Sequence, residues 1–425
     1  MMNSTSSVYV TTNGCPENRI DSARLVEFFK RNGWIITDNL QQADFIFFNA
    51  CGLTQEAEEY SIKIIKYLQD KKRPSAELFV WGCLPKINES RVREVYQGIT
   101  FGSDDLTKLD ELFACETKAK ELQANFLVPG FRFDEESGHR RASKGRGVLI
   151  ETLKFIKKHS LGSMRLKLAG AVNVYGPGIF PIKVSTGCLN ACSYCGVKLS
   201  RGNVKSKSID SIMEEAEKGL DSNYREFGLI GTDVGAYGRD LGMDLLVLLR
   251  ELVKLPGDFK MRLRNINPRF LIMMMPGLKE ILRTGKISYI GTAAESGSDR
   301  ILGLMNRGYR ISEYKEAVRQ LNREFPEILI RTQLMVGFPT ESDRDFKETC
   351  SLLDDLRFDY VEVYRFQRRP GTRAALMDGE IDRETMKRRF HRLQIKSQVT
   401  GLIRKRQIIG EFKKRLIMPP ANDML

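Results

Sequence analysis

Cys188, Cys192 and Cys195 put three thiols within eight residues, in the spacing C-x3-C-x2-C. Three thiolates on one loop can ligate a single metal centre. No fourth cysteine or histidine stands nearby, whereas a structural zinc site is closed by four protein ligands. A four-iron cluster can be held by three thiolates, leaving one iron open to a substrate. The loop follows Ser185-Thr186-Gly187, at the end of an expected strand. The competing reading is a degenerate zinc site.

A second trio is dispersed. Cys15, Cys51 and Cys83 each follow an apolar, strand-like run, and each has a glycine beside it: Gly14-Cys15, Cys51-Gly52 and Gly82-Cys83. In a doubly wound sheet the strand C-termini share one edge and ligands bind in its crevice. Glycine there allows the tight turns and close backbone approach that a bulky group needs. Three buried core cysteines would read the same way, and both readings stand at this point. Cys115 and Cys350 lack such settings and are expected to be packing or surface thiols. The only histidines are His139, His159 and His391, none placed for a catalytic triad or a His-x-x-x-His site, so histidine-led chemistry is not expected.

The elements that must position these groups follow from the apolar pattern. Val8–Thr12, Phe45–Phe48 and Leu78–Trp81 read as strands. Asp21 is expected to cap a helix that carries Leu25, Phe28 and Phe29 and stops at Gly33; a second helix is expected around Ile62–Leu68. Residues 1–115 thus form a doubly wound parallel sheet. Residues 116–180, with the run GHRRASKGRG and a helical face of Leu149, Leu153 and Ile156, read as a linker or accessory insertion. In residues 181–375, strands at Ile182–Ser185, Phe227–Ile230, Met261–Arg264, Tyr289–Thr292, Ile328–Gln333 and Tyr360–Tyr364 alternate with helices. Six such units make a partial, TIM-like barrel whose chemistry sits at the strand C-termini. Residues 376–425 read as a basic helical extension. The fold class is α/β throughout these two domains.

The 425 residues carry 68 Lys+Arg against 54 Asp+Glu, a formal charge of +14, and 42% are hydrophobic. That is enough apolar material for real cores. Residues 361–425 hold 16 Lys and Arg against 7 Asp and Glu, so much of the excess is at this end. It suits either a polyanionic partner such as RNA or a solvated surface. No apolar run is long enough to span a membrane, and the start, MMNSTSSVYV, does not look like a secretory signal. A cytoplasmic protein is expected, with thiols rather than disulfides.

The motifs in order resemble the radical S-adenosylmethionine (SAM) methylthiotransferases. The C-x3-C-x2-C loop carries the radical-SAM part of the resemblance. NGCPENRIDS, NACG and WGC are similar to the N-terminal segments of that family, with the pattern Gly14-Cys15-Pro16-x-Asn18-x-x-Asp21-Ser22 closest to its protein-modifying branch. Further matches are Ala236-Tyr237-Gly238, Ser296-Gly297-Ser298-Asp299-Arg300, Met305-Asn306-Arg307-Gly308-Tyr309, Val336-Gly337-Phe338-Pro339 and Pro370-Gly371-Thr372. Departures are Glu295 where the family has Gln, and Thr340-Glu341-Ser342 where it has Gly-Glu-Thr. The region 116–180 looks longer than the family's linker, and after Thr400 there is no room for the family's terminal β-barrel.

The resemblance implies two [4Fe–4S] clusters. One, on Cys188, Cys192 and Cys195, would bind SAM and cleave it to a 5′-deoxyadenosyl radical. The other, on Cys15, Cys51 and Cys83, would deliver sulfur, with a second SAM as methyl donor. Arg331 is a candidate for the SAM carboxylate, and Asp233 and Glu295 for its amino group or ribose. A reductant such as flavodoxin or ferredoxin is implied. The substrate is expected to be a peptide or protein side chain. The alternatives are a tRNA base, gripped through Arg388-Arg389, Arg404-Lys405-Arg406 and Lys413-Lys414-Arg415, or, from another class, a non-catalytic iron–sulfur RNA-binding or sensor protein.

Overall fold

The strand-and-helix alternation of the first hundred residues is a five-stranded parallel sheet in the computed structural model, which describes residues 6–103, 105–119, 122–131, 133 and 178–404. The strands are β1 (Ser7–Thr12), β2 (Ile35–Ile36), β3 (Phe45–Ala50), β4 (Glu77–Gly82) and β5 (Thr100–Gly102), in the order β2-β1-β3-β4-β5. The three expected strands are its adjacent centre. The two edge strands were not anticipated: at two and three residues they are too short to show a period.

Residues alternate across β3, and its two faces pack against different helices. Helix α1 (Pro16–Arg31) brings Leu25, Phe28 and Phe29 against Phe47, Phe79 and Trp81. Helix α2 (Gln55–Lys71) brings Ile62, Ile65 and Leu68 against Ile46, Phe48 and Val80. Asp21 does not cap α1. The helix starts five residues earlier with Cys15 as N-cap and Pro16 in the first turn, where proline's missing N–H costs nothing. Thr54 caps α2 by accepting from the Ala57 amide at 3.1 Å. Cys83 opens the short helix α3 (Cys83–Ile87).

The chain continues into the six β/α units of a partial, TIM-like barrel. Their strands are β6 (Ile179–Lys183), β9 (Glu226–Ile230), β10 (Lys260–Ile266), β11 (Ile287–Thr292), β12 (Leu329–Val336) and β13 (Tyr360–Arg365); β7 (Ser185–Thr186) and β8 (Lys205–Ser206) form a separate antiparallel pair. The first barrel strand therefore starts three residues earlier than the expected Ile182–Ser185 and ends two residues earlier, at Lys183. After Val184 the chain leaves the sheet, Ser185 and Thr186 pair with Ser206 and Lys205, and Gly187 turns at φ +74.

Two compact units divide these elements. The first runs through Arg264 and regains Gln367–Ala375; the second holds Asn265–Phe366 and the chain from Leu376. In the first, β6 and β10 pair in parallel with β9. In the second, β11 and β13 pair in parallel with β12. There Glu341 folds back so that its Oε2 accepts from the Gly337 amide (3.0 Å) and from Arg389 Nη1 (2.9 Å). Gly337-Phe338-Pro339 is thus a braced turn, held by the helix Arg383–Arg404. Most of the 116–180 insertion, including the Leu149–Leu153–Ile156 face, and the basic runs beyond Arg404 lie outside the described residues. Among the described residues no helix is long and apolar enough to cross a membrane.

Candidate functional site

Both cysteine trios fall in the first compact unit. Cys51 and Cys83 directly follow β3 and β4, and Cys15 follows β1 after two residues, Asn13 and Gly14. Parallel register carries the three chain ends to the same edge of the sheet. Cys51 and Cys83 are each 7% exposed, and Cys15 is exposed. None of the eight cysteines is in a disulfide.

The glycines beside these cysteines are there for space. A Cβ on Gly82 (φ +103) would lie 2.2 Å from Asn49 Oδ1, one on Gly14 2.4 Å from the Asn18 side chain, and one on Gly52 2.9 Å from the Leu84 backbone. Gly82→Ala combines this clash with a backbone region that side chains avoid. It is expected to cost at least about 1–3 kcal/mol, read as a lower denaturant midpoint.

An asparagine cluster frames the trio. Asn18 Oδ1 faces Cys15 Sγ at 3.7 Å and Cys83 Sγ at 3.6 Å. Asn18 Nδ2 donates to Asn49 Oδ1 at 2.8 Å, and Asn49 Nδ2 returns a bond to the Asn18 carbonyl at 3.0 Å. Asn13 Oδ1 accepts from the Cys51 amide at 3.0 Å. Asn13, Asn18 and Asn49 were not singled out from the sequence. The signal was available, because all three lie within three residues of a trio cysteine.

The second loop is clasped as tightly. The Cys188 amide donates to the Gly202 carbonyl (3.2 Å) and Lys198 Nζ to the Cys188 carbonyl (2.9 Å). Asn190 donates to Cys188 Sγ through its backbone N and its Nδ2, both at 3.3 Å, and Nδ2 also reaches Asp233 Oδ2 at 2.6 Å. The segment Gln367–Ala375 closes the loop from outside: the Ala374 amide donates to the Ser193 carbonyl (2.8 Å), and Arg373 Nη2 to that of Ala191 (3.1 Å).

The two loops meet through a buried ion network. Arg201, at the end of the helix Val197–Arg201, is 3% exposed. Its Nη1 donates to Glu17 Oε1 and Asp21 Oδ2, both at 3.0 Å, and its Nη2 to Asn18 Oδ1 at 2.5 Å. Lys183 Nζ donates to Asp21 Oδ1 at 2.5 Å, and Thr232 Oγ1 to both Glu17 oxygens at 3.0 Å. Burial opposes ionisation of Asp21, but Lys183 and Arg201 hold its carboxyl below the usual carboxylate range. Helix α3 packs directly on the Val197–Arg201 helix, so the segments following Cys83 and Cys195 touch.

Burial pushes the Cys51 thiol up to about 12. Burial, with Asp233 adding to it, pushes Cys188 up to about 11, despite the Asn190 hydrogen bonds. Both are protonated at neutral pH without a metal, so binding iron must release their protons. Among the described residues no three His, Cys, Asp or Glu side chains form a group that could hold a single ion. A cubane asks for something else, since its cysteines each bind a different iron. Three thiols on adjacent strand ends and a buried cation bound to the amide oxygen that faces two of the sulfurs suit such a cluster.

The candidate SAM contacts are placed differently from one another. Asp233 is buried in the loop after β9, with Oδ1 accepting from the Gly235 amide at 3.1 Å. Glu295, in the second unit, is buried with φ +68, fixed by its amide to the Gln333 carbonyl (2.9 Å) and its carbonyl to the Met335 amide (2.7 Å). A glutamate in left-handed backbone is a strained residue of the kind that gathers at functional sites. Arg331 is the third residue of β12, not at its C-terminal end, and its Nε donates to Glu362 Oε1 at 2.9 Å with Nη2 on the other oxygen. Its charge is already matched within the sheet.

Two family profiles match the chain: the Radical SAM superfamily over residues 182–353 and Uncharacterized protein family UPF0004 over residues 7–102. A "Probable threonylcarbamoyladenosine tRNA methylthiotransferase" of Methanothermobacter thermautotrophicus is 29% identical over 413 residues, 97% of this chain and 88% of that protein. "Ribosomal protein uS12 methylthiotransferase RimO" of Thermodesulfovibrio yellowstonii is 27% identical, over 96% of this chain and 86% of that protein. Among solved structures, the radical S-adenosylmethionine methyltransferase TsrM of Kitasatospora setae, with cobalamin and a [4Fe-4S] cluster bound, aligns with a TM-score of 0.56 at 13% identity. It covers 87% of this chain and 77% of that one, which speaks for the fold alone.

Proposed function

From the premise that this chain belongs to the radical-SAM methylthiotransferases, we propose that it replaces an unactivated C–H of a peptide or protein side chain with a methylthio group. Members of that family are enzymes that use SAM and [4Fe–4S] clusters, which rules out the non-catalytic sensor. The observation that carries the two-centre reading is the pair of cysteine trios in one compact unit, joined through Arg201, Glu17 and Asn18. In this reading Cys188, Cys192 and Cys195 hold the cluster that binds SAM, and Cys15, Cys51 and Cys83 hold the cluster that supplies sulfur.

The bound groups supply one-electron cleavage of SAM and a transferable sulfur. The protein's own residues position and shield them. Asn190 donates two hydrogen bonds to Cys188 and ties that sulfur to Asp233, which we assign to the polar end of SAM. Arg331 is left to brace β12 against β13. Gln367–Ala375 holds the outer side of the Cys188–Cys195 loop through Ala374 and Arg373.

Gly14-Cys15-Pro16, with proline in the first turn of α1, supports the protein-modifying reading. A tRNA base is the second reading. The net charge of +14 favours it, and so do relatives named for tRNA, including a "tRNA-2-methylthio-N(6)-dimethylallyladenosine synthase" of Syntrophus aciditrophicus, 29% identical. We place the enzyme in the cytoplasm with a flavodoxin- or ferredoxin-type reductant. The test offers the reconstituted enzyme cellular protein and bulk tRNA separately, with SAM labelled in its methyl group. Label retained in protein, at a residue heavier by a methylthio group in place of hydrogen, is the expected result. Label in tRNA alone, with binding that weakens steeply as salt rises, would replace this substrate with the second.

A further inference from the structure

Arg201 stands out among the charges of the first unit. It is 3% exposed, yet meets two carboxylates, Glu17 and Asp21, which are themselves 7% and 1% exposed. Lys183 supplies the second cation, at 2.5 Å from Asp21 and 3.9 Å from Glu17. The four charges cancel, so stability alone does not require the arrangement: a buried ion pair seldom outperforms apolar packing of the same volume. What distinguishes Arg201 is its third partner. Its Nη2 binds Asn18 Oδ1, the same oxygen that faces the sulfurs of Cys15 and Cys83. Because an arginine only donates, this bond fixes which end of the Asn18 amide points at the sulfurs. Glu17, two residues from Cys15, is the nearest compensating anion on the same helix.

We propose that Arg201 is a positioning and charge-setting residue for the Cys15–Cys51–Cys83 centre, reaching it from the helix that follows the Cys188–Cys195 loop. This rests on the reading that those three cysteines hold a cluster. Three thiolates bring negative charge to this edge of the sheet, and each electron added to a cluster there brings more. A fixed guanidinium beside the sulfurs stabilises that charge, and the Glu17 carboxylate opposes it. Arg201 therefore makes the centre easier to reduce and Glu17 makes it harder. Since Arg201 sits one turn of chain beyond Cys195, movement of the first loop would be felt at the second centre as a change in field.

The test uses the full chain with Cys188, Cys192 and Cys195 replaced by alanine, reconstituted anaerobically, so that only the second centre carries iron, about four per chain. Its potential is read by redox titration followed by electron paramagnetic resonance. Arg201→Gln is expected to shift the potential to more negative values, Glu17→Gln to more positive ones, and Arg201→Lys to leave it near the parent's. Loss of iron in Arg201→Gln with retention in Arg201→Lys supports the same conclusion. Shifts of the same sign in the two glutamine variants, no shift in either, or loss of iron in the lysine variant as well would overturn the role of Arg201. A parent triple variant that binds no iron would instead overturn the cluster assignment itself.

Discussion

A Cys188→Ala chain, reconstituted with iron and sulfide, is expected to make no 5′-deoxyadenosine from SAM above the level of a protein-free reaction. The argument is local. Cys188 is the one sulfur in its loop that accepts from Asn190 twice, and through Asn190 it is joined to Asp233. On the proposed assignment, losing it removes an iron ligand and loosens the link between the loop and the β9 end together. Iron should fall from about eight to about four per chain, because the other trio keeps its own cluster. Alanine leaves the backbone bonds of the loop in place, so a loss of fold is not expected, and the melting temperature of the iron-free chain checks it. Persistent 5′-deoxyadenosine would reject the assignment.

Cys51→Ala should give the complementary defect. Cys51 is buried at the end of a central strand, its amide and carbonyl already held by Asn13 and Ser61. Truncating its thiol removes a ligand without disturbing those bonds. SAM cleavage is expected to continue, while methylthio product falls below detection and iron again drops to about four per chain. The two variants thus separate radical generation from sulfur transfer: one loses both, the other only the second. Methylthio product from Cys51→Ala at the native rate would take Cys51 out of the ligand set.

How much of this was legible before the structure depends on the range of each signal. The cysteine trios and the three central strands of the first sheet are local patterns, a spacing in one case and a run of apolar residues in the other; the strands are found one or two residues longer than expected. The start of α1 was misplaced because Asp21 has the chemistry of a cap; what it does instead, pairing with Lys183 and Arg201, depends on residues more than 160 positions away. The same distance hid Arg201. In the sequence it is one basic residue among 68 Lys and Arg, and only the fold shows that it is buried between two carboxylates. Arg331 was read as the end of a strand because the apolar run seemed to stop at Gln333, whereas the ladder with β13 continues through Val336. The edge strands β2 and β5 carry no pattern of their own and exist because a neighbour offers them a ladder.

The return of Gln367–Ala375 to the first unit has a consequence for how the enzyme is made. Arg369 pairs with Glu58, and Ala374 with Ser193, so the chain through Ala375 must leave the ribosome before the loop around Cys188 acquires its outer wall. A nascent chain that halts inside the second unit would present its thiols uncovered.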